Sequence, residues 1–370
     1  MRPIVIGAGP AGLAAGAALR RAGLNPLLLE RGEHPGQAWH NHYERLHLHT
    51  SGRTSGLPFR GFPSSADFYP SRQQVVDYLT DYAAHFELDI RTGVEVSRAR
   101  REDADWVVHA GDQQWRTDLL AVCTGLNRRP FIPEVPGADG FAGTQVHSAR
   151  YRSGREFQGQ RVLVVGSGNS GAEIALDLLE HGAVPTLVVR SPIHVTPRDL
   201  PIVRRSAAET SILLSKLPTW LADLLSGLTA RLVVGDLSRW GIERPKEGIY
   251  TMIRDRGRVA LLDVGTIDAI KSGHIGVVPG LERMDGSTAV FADQTSQPFD
   301  ALVWATGYRP GLEWVDGLDA VLGSRGAPRA GGGEPVLPGL HFVGYRNPPY
   351  GAFRGIHEDA VHLGEYARSR

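Results

Sequence analysis

The sequence predicts an α/β chain made of two nested Rossmann-like dinucleotide-binding domains. Pro3–Ala14, "PIVIGAGPAGLA", and Arg161–Leu176, "RVLVVGSGNSGAEIAL", each read as an apolar strand, a Gly-x-Gly-x-x-Gly turn and a helix of small residues. Return strands follow both, "NPLLLE" ending at Glu30 and "PTLVVR" ending at Arg190. Asp118–Gly125, "DLLAVCTG", is echoed by Asp300–Gly307, "DALVWATG", each after short strands with polar turns. The repeat places one domain at 1–150 and 296–370 and a second, inserted one at 151–295. The Pro- and Gly-rich "NRRPFIPEVPGADGFAG" marks the crossing between them.

Within each fingerprint the glycines have mechanical roles. Gly7 and Gly166 allow the tight turn, Gly9 and Gly168 let a pyrophosphate approach the backbone, and Gly12 and Gly171 let helix and strand pack closely. Pro10 and Ala11, and Asn169 and Ser170, open the two helices, whose N-termini offer N–H groups and positive potential to phosphates. Glu30 ends the first return strand, where a carboxylate accepts a ribose 2′,3′-diol; Arg31 follows it. Arg190 stands at the matching place in the second, with Ser191 next. A guanidinium there binds a 2′-phosphate that a carboxylate would repel. The first site therefore suits FAD (or NAD) and the second NADPH.

Composition narrows the chemistry. The 370 residues carry equal numbers of acidic and basic side chains, which argues against nucleic acid as a partner. The single cysteine, Cys123, allows no redox pair, so a dithiol is excluded as the electron acceptor. Oxygen or an external carrier remains. Strand residues start at once, so no signal peptide is expected, and a cytoplasmic enzyme is. The Leu-rich stretch Ser211–Leu237 is broken by Lys216, Pro218, Asp223 and Arg231 and is not expected to span a membrane. Its helical spacing of Trp220, Leu221, Leu224, Leu225 and Leu228 reads as a helix packed on the protein, with membrane-surface contact or oligomerisation as the other readings. Gly323–Pro335 reads as an exposed flexible loop.

These motifs resemble the class B flavin-dependent monooxygenases. "FAGTQVHSARY", Phe141–Tyr151, is similar to the group's identifying pattern through Phe141, Gly143, His147 and Tyr151. Within the group the chain resembles the YUCCA-type enzymes, in "YERLHLHT" at Tyr43–Thr50, "LPFRGFP" at Leu57–Pro63, "VVRSPIHVTPRDL" at Val188–Leu200 and "DALVWATGYRP". The resemblance implies that NADPH reduces FAD and that O2 forms a C4a-(hydro)peroxyflavin, which gives one oxygen atom to a small organic substrate. That substrate is a 2-oxo acid of the indole-3-pyruvate type or a soft nitrogen or sulfur nucleophile. An NADPH:acceptor reductase serving a carrier is the alternative. The resemblance also implies that Gln37, Ala38, Trp39, Leu46, His49 and Thr50 line the flavin pocket, with a core-packed histidine as the other reading of His49; Thr124 and Gly125 of "CTG" are further expected cofactor contacts. Thr306, Gly307 and Tyr308 return the chain to the FAD domain, Gly307 through close backbone approach. His147 and Tyr151 either touch NADP⁺ or order the linker. The histidines at 40, 42, 47 and 49 also invite a metal reading, but flavin oxygenation requires no metal, and none is assigned. No catalytic residue is assigned either, and a homodimer is compatible with the sequence.

Overall fold

A computed structural model describes residues 1–200, 205–323, 325–329 and 331–370. The chain forms two compact units. The first comprises Met1–His40, Thr50–Arg129 and Tyr308–Arg370, and the second Asn41–His49 and Pro130–Gly307. The boundaries thus fall at Arg129/Pro130 and Gly307/Tyr308 rather than at 150/151 and 295/296, and hydrogen bonding explains why. Thr144–His147 pairs in parallel with Ala301–Trp304, which in turn pairs with Arg161–Val165. Both segments assigned to the first domain from sequence are therefore strands of the second sheet. "DALVWATG" does not return the chain; it completes the inserted unit.

The first unit is a six-stranded sheet in the order Pro335–Leu337, Leu340–Phe342, Leu120–Val122, Ile4–Ile6, Leu27–Leu29, Asp89–Arg91. Every pairing is parallel except that of the edge strand Pro335–Leu337. The central strands are short all-apolar runs because both faces are covered. Helix Pro10–Arg21 covers one face, its small residues buried from Ala11 to Leu19. The C-terminal helix Ala352–Ser369 lies against it so closely that a Cβ on Gly364 would sit 3.1 Å from the Ala18 carbonyl. A meander, Arg98–Glu102, Asp105–Ala110 and Gln113–Thr117, contributes Trp106 and Val108 to the core beside Leu120 and Phe342.

Fewer of the 323–335 residues are exposed than the sequence suggests. Gly332 and Gly333 are buried, and the Gly333 carbonyl accepts from His341 at 2.6 Å; positions 324 and 330 lie outside the described residues.

The second unit repeats the plan with a five-stranded, wholly parallel sheet in the order Gly276–Val278, Val184–Val188, Arg161–Val165, Ala301–Trp304, Thr144–His147. Helix Asn169–Glu180 follows its glycine turn, and a meander from Leu281 to Pro298 supplies Met284, Ala289 and Phe291 to the core with Phe141 and Trp304.

The Leu-rich stretch forms helices Ala207–Leu214 and Thr219–Val233. Contrary to the packed reading, the second helix buries its alanines, Ala222 and Ala230, and exposes Trp220, Leu224, Leu225 and Leu228. Asp223 decides this orientation. Its carboxylate accepts from the N–H groups of Tyr250 and Thr251 and from the Thr251 hydroxyl, and so turns the polar residue inward. Among the described residues no helix is long and apolar enough to cross a membrane.

Candidate functional site

Each unit carries one glycine turn, and the two share the same close backbone approaches. A Cβ on Gly12 would lie 1.8 Å from the Gly7 carbonyl, and one on Gly171 would lie 1.8 Å from that of Gly166. Gly7 and Gly166 have φ of +99° and +120°, and each presses on the strand-end backbone of the echo, at Cys123 and Ala305. By contrast, a Cβ on Gly9 or Gly168 would meet nothing within 4 Å. These two glycines are the N-caps of helices Pro10–Arg21 and Asn169–Glu180, and neither cap supplies a side-chain acceptor. Both helix N-termini therefore present N–H groups to an open space, the form of a pyrophosphate cradle.

The acid of the first cradle is held rigidly. Glu30 is buried; one carboxylate oxygen accepts from Ala8 N–H at 2.7 Å and the other from Gly32 N–H at 2.8 Å. Each oxygen keeps a lone pair that a ribose hydroxyl can use. Gln37 orders the adjoining loop by accepting from the N–H groups of Glu33 and His34, and Gly36 N–H is bound by the Ala8 carbonyl. Arg31 and Ala38 are exposed, and Trp39 meets Phe353 edge-on. Thr124 bonds the Tyr345 hydroxyl at 2.8 Å, Gly125 takes a φ of +76°, and Gly344 comes within a would-be Cβ distance of 2.8 Å of Ala11. The C-terminal segment thus reaches the first cradle, through residues (Gly344, Tyr345) that the motifs alone do not single out. Thr50 packs on Gly351, and Tyr308 lies in this unit.

In the second cradle Asn169 accepts from Leu262 N–H at 2.7 Å and ties the turn to strand Leu261–Asp263. Ser170, next to Asn169 in sequence, and Ser191, next to Arg190, are both half-buried. Arg190 is exposed just past its strand, its stem lying over Gly280, and it makes no hydrogen bond or ion pair with any described residue. A cation so placed can bind an added phosphate. Thr306 donates to the Phe131 carbonyl, and the Gly307 carbonyl accepts from Phe131 N–H at 2.9 Å. Gly307 has open space at its Cβ position and a φ of +85°, so backbone conformation and not crowding requires glycine there.

The Phe141–Tyr151 motif lies wholly in the second unit. Phe141 is in its core, and a Cβ on Gly143 would strike the Asp300 carbonyl at 2.2 Å. His147 Nδ1 accepts from Ala149 N–H at 3.1 Å, so Nε2 carries the proton and donates to the Gly307 carbonyl at 3.1 Å. Burial lowers its pKa and keeps the ring neutral. Tyr151 is buried and donates to Asp177 at 2.6 Å, leaving no face for a nucleotide.

The segment expected at the flavin divides. Leu46 and His49 belong to the second unit, because Asn41–His49 is clamped to helix Asn169–Glu180. Tyr43 donates to Glu173, His49 Nε2 lies 3.6 Å from the same carboxylate, and Arg45 pairs with Glu180. Burial lowers the His49 pKa, with Glu173 opposing. Glu173, Asp177 and Glu180, at helical spacing in "GAEIALDLLE", were the available signal for this docking. His47 is exposed and bonds the Arg45 carbonyl at 2.8 Å, whereas His49 is half-buried beside Glu173, and the described residues contain no cluster of three metal-binding side chains.

A pyridine nucleotide-disulphide oxidoreductase family model matches residues 4–205. The indole-3-pyruvate monooxygenase YUCCA1 of Oryza sativa subsp. japonica is 40% identical over 317 residues, covering 84% of this chain and 78% of that protein. The chain belongs to the YUCCA-type flavin monooxygenases. Indole-3-pyruvate monooxygenase YUCCA8 of Oryza sativa subsp. indica is 37% identical over 371 residues, 93% of this chain and 86% of its own. A flavin-containing monooxygenase from Stenotrophomonas maltophilia shares the fold with a TM-score of 0.71 and 26% identity, over 100% of this chain and 96% of that one. The enzyme is accordingly an FAD- and NADPH-dependent monooxygenase. It shares a family with disulphide oxidoreductases but lacks their dithiol chemistry: its one thiol, Cys123, is buried, which pushes its pKa up and keeps it protonated.

Proposed function

We propose that this monooxygenase converts a 2-oxo acid of the indole-3-pyruvate kind into the acid one carbon shorter. The balanced reaction is R–CO–COOH + O2 + NADPH + H⁺ → R–COOH + CO2 + NADP⁺ + H2O. The observation that carries the substrate class is the 40% identity, over most of both chains, to a relative named for indole-3-pyruvate. FAD, when bound and reduced by NADPH, supplies the activation of dioxygen.

The chain's own residues bind and orient. The N–H groups of the helix following Gly9 take the FAD pyrophosphate, and Glu30, already locked by Ala8 and Gly32, takes the ribose diol. The helix following Gly168 takes the NADPH pyrophosphate, and Arg190 takes the 2′-phosphate. Thr124, Gly125, Gln37 and Trp39 belong to the flavin side, and Asn169, Ser170 and Ser191 to the nucleotide side. His147 holds the strand end at Gly307 as a neutral donor.

Oxygen uptake and NADPH oxidation with a panel of 2-oxo acids, amines and sulfides test the substrate class. Indole-3-pyruvate under ¹⁸O2 should yield the shortened acid carrying one ¹⁸O. NADPH oxidation that yields only hydrogen peroxide with every 2-oxo acid, alongside oxygenated amine or sulfide, overturns the assignment.

A further inference from the structure

Helix Thr219–Val233 is held to the protein by its small residues and shows its large ones to solvent. Trp220 is 68% exposed, Leu224 53%, Leu228 48% and Leu232 78%. At helical periodicity these residues, with Leu225, fall on one face roughly 140° wide. Single exposed leucines are ordinary, but a contiguous row of this length marks an interaction surface.

Charge selects the occupant. Of the three charged residues between 211 and 235, Asp223 is turned inward by its bonds to Tyr250 and Thr251. Lys216 and Arg231 remain, both exposed, one at each end of the row. Asp236 lies beyond the helix, accepting from Ser238 N–H. Pairing two copies through this face would bring Lys216 of one towards Arg231 of the other if antiparallel, and like against like if parallel; both are repulsive. An anionic surface meets both cations favourably.

We propose that this face docks on an anionic lipid bilayer. At 15 residues the helix is about 22 Å long, too short for a hydrocarbon core of about 30 Å, so it lies in the interface plane. Trp220 and the leucines enter the acyl boundary, and Lys216 and Arg231 meet headgroup phosphates.

Vesicle flotation of the FAD-loaded enzyme tests this, using phosphatidylcholine alone and phosphatidylcholine with roughly a third phosphatidylglycerol. The wild type should float with the anionic vesicles and far less with the neutral ones. Leu224→Glu/Leu228→Glu should lower partitioning by roughly a hundredfold and Lys216→Glu/Arg231→Glu by roughly tenfold or more. All these residues are exposed, so flavin content and NADPH oxidation should be unchanged. Absence of wild-type flotation overturns the proposal, as does equal flotation of the leucine variant. Light scattering that shows a dimer split by Leu224→Glu/Leu228→Glu, without vesicle binding, assigns the face to a second copy instead.

Discussion

The Glu30 carboxylate accepts the backbone N–H of Ala8 at 2.7 Å, which makes the acid of the first cradle and its glycine turn one hydrogen-bonded piece. Removing the acid does more than delete a ligand contact, because Ala8 N–H loses its acceptor in a buried place and Gly32 N–H in a half-buried one. Glu30→Ala should therefore destabilise the apoprotein by about 1–3 kcal/mol and also reduce the flavin it retains. Urea titration of apoprotein and the ratio of flavin to protein absorbance measure the two losses separately. An unchanged apoprotein midpoint would show that the carboxylate is not part of the scaffold.

The glycines separate packing from binding. Gly9→Ala adds a Cβ into open space and should leave apoprotein stability within about 0.5 kcal/mol while weakening FAD binding tenfold or more. Gly12→Ala, whose Cβ would lie 1.8 Å from a carbonyl, should fail to fold. In the second unit Gly168→Ala should leave the protein yellow but slow its reduction by NADPH. Isothermal titration and anaerobic bleaching of the flavin distinguish these outcomes.

Arg190→Ala should raise the KM for NADPH roughly tenfold and leave that for NADH little changed, since only the former carries the phosphate a guanidinium pairs with. Equal losses for both nucleotides would remove the 2′-phosphate from its role.

Tyr151→Phe should cost about 1–2 kcal/mol by leaving the buried Asp177 carboxylate short of a donor, with Gly154 N–H still in place at 2.8 Å. Because the hydroxyl is spent on Asp177 inside the second unit, the NADPH KM should hold within about twofold. Thermal unfolding and steady-state kinetics on one preparation check both.

His341 makes stability depend on pH. It is fully buried, its Nδ1 bonded to the Gly333 carbonyl and its Nε2 without a partner. Burial pushes its pKa down from 6.5 to about 4. The folded ring thus stays neutral where the unfolded one gains a proton, and stability falls as pH drops from about 6.5 towards 4, by up to about 3 kcal/mol. Urea midpoints across that window should fall less steeply for His341→Asn, whose amide can still donate to Gly333.

Much of the fold was legible because glycine turns and apolar strands are local signals. A positive φ, an open N-cap and a run of three or four buried apolar residues each have a direct signature in neighbouring residue types. The docking of Asn41–His49 had none of comparable strength, because its partners Glu173 and Glu180 lie more than a hundred residues away. Tyr345 and Gly344 were hidden for the same reason: they reach the first cradle only when Leu340–Phe342 pairs beside Leu120–Val122.

By itself the sequence determined that there are two nucleotide cradles, one ending in an acid and one in a guanidinium, and that a dithiol is absent. Only tertiary structure decided which strands each sheet recruits and which way the Leu-rich helix faces. Periodicity shows that a helix has an apolar side but not whether the protein covers it; here the inward hydrogen bonds of Asp223 chose the alanine side and left the leucines in solvent.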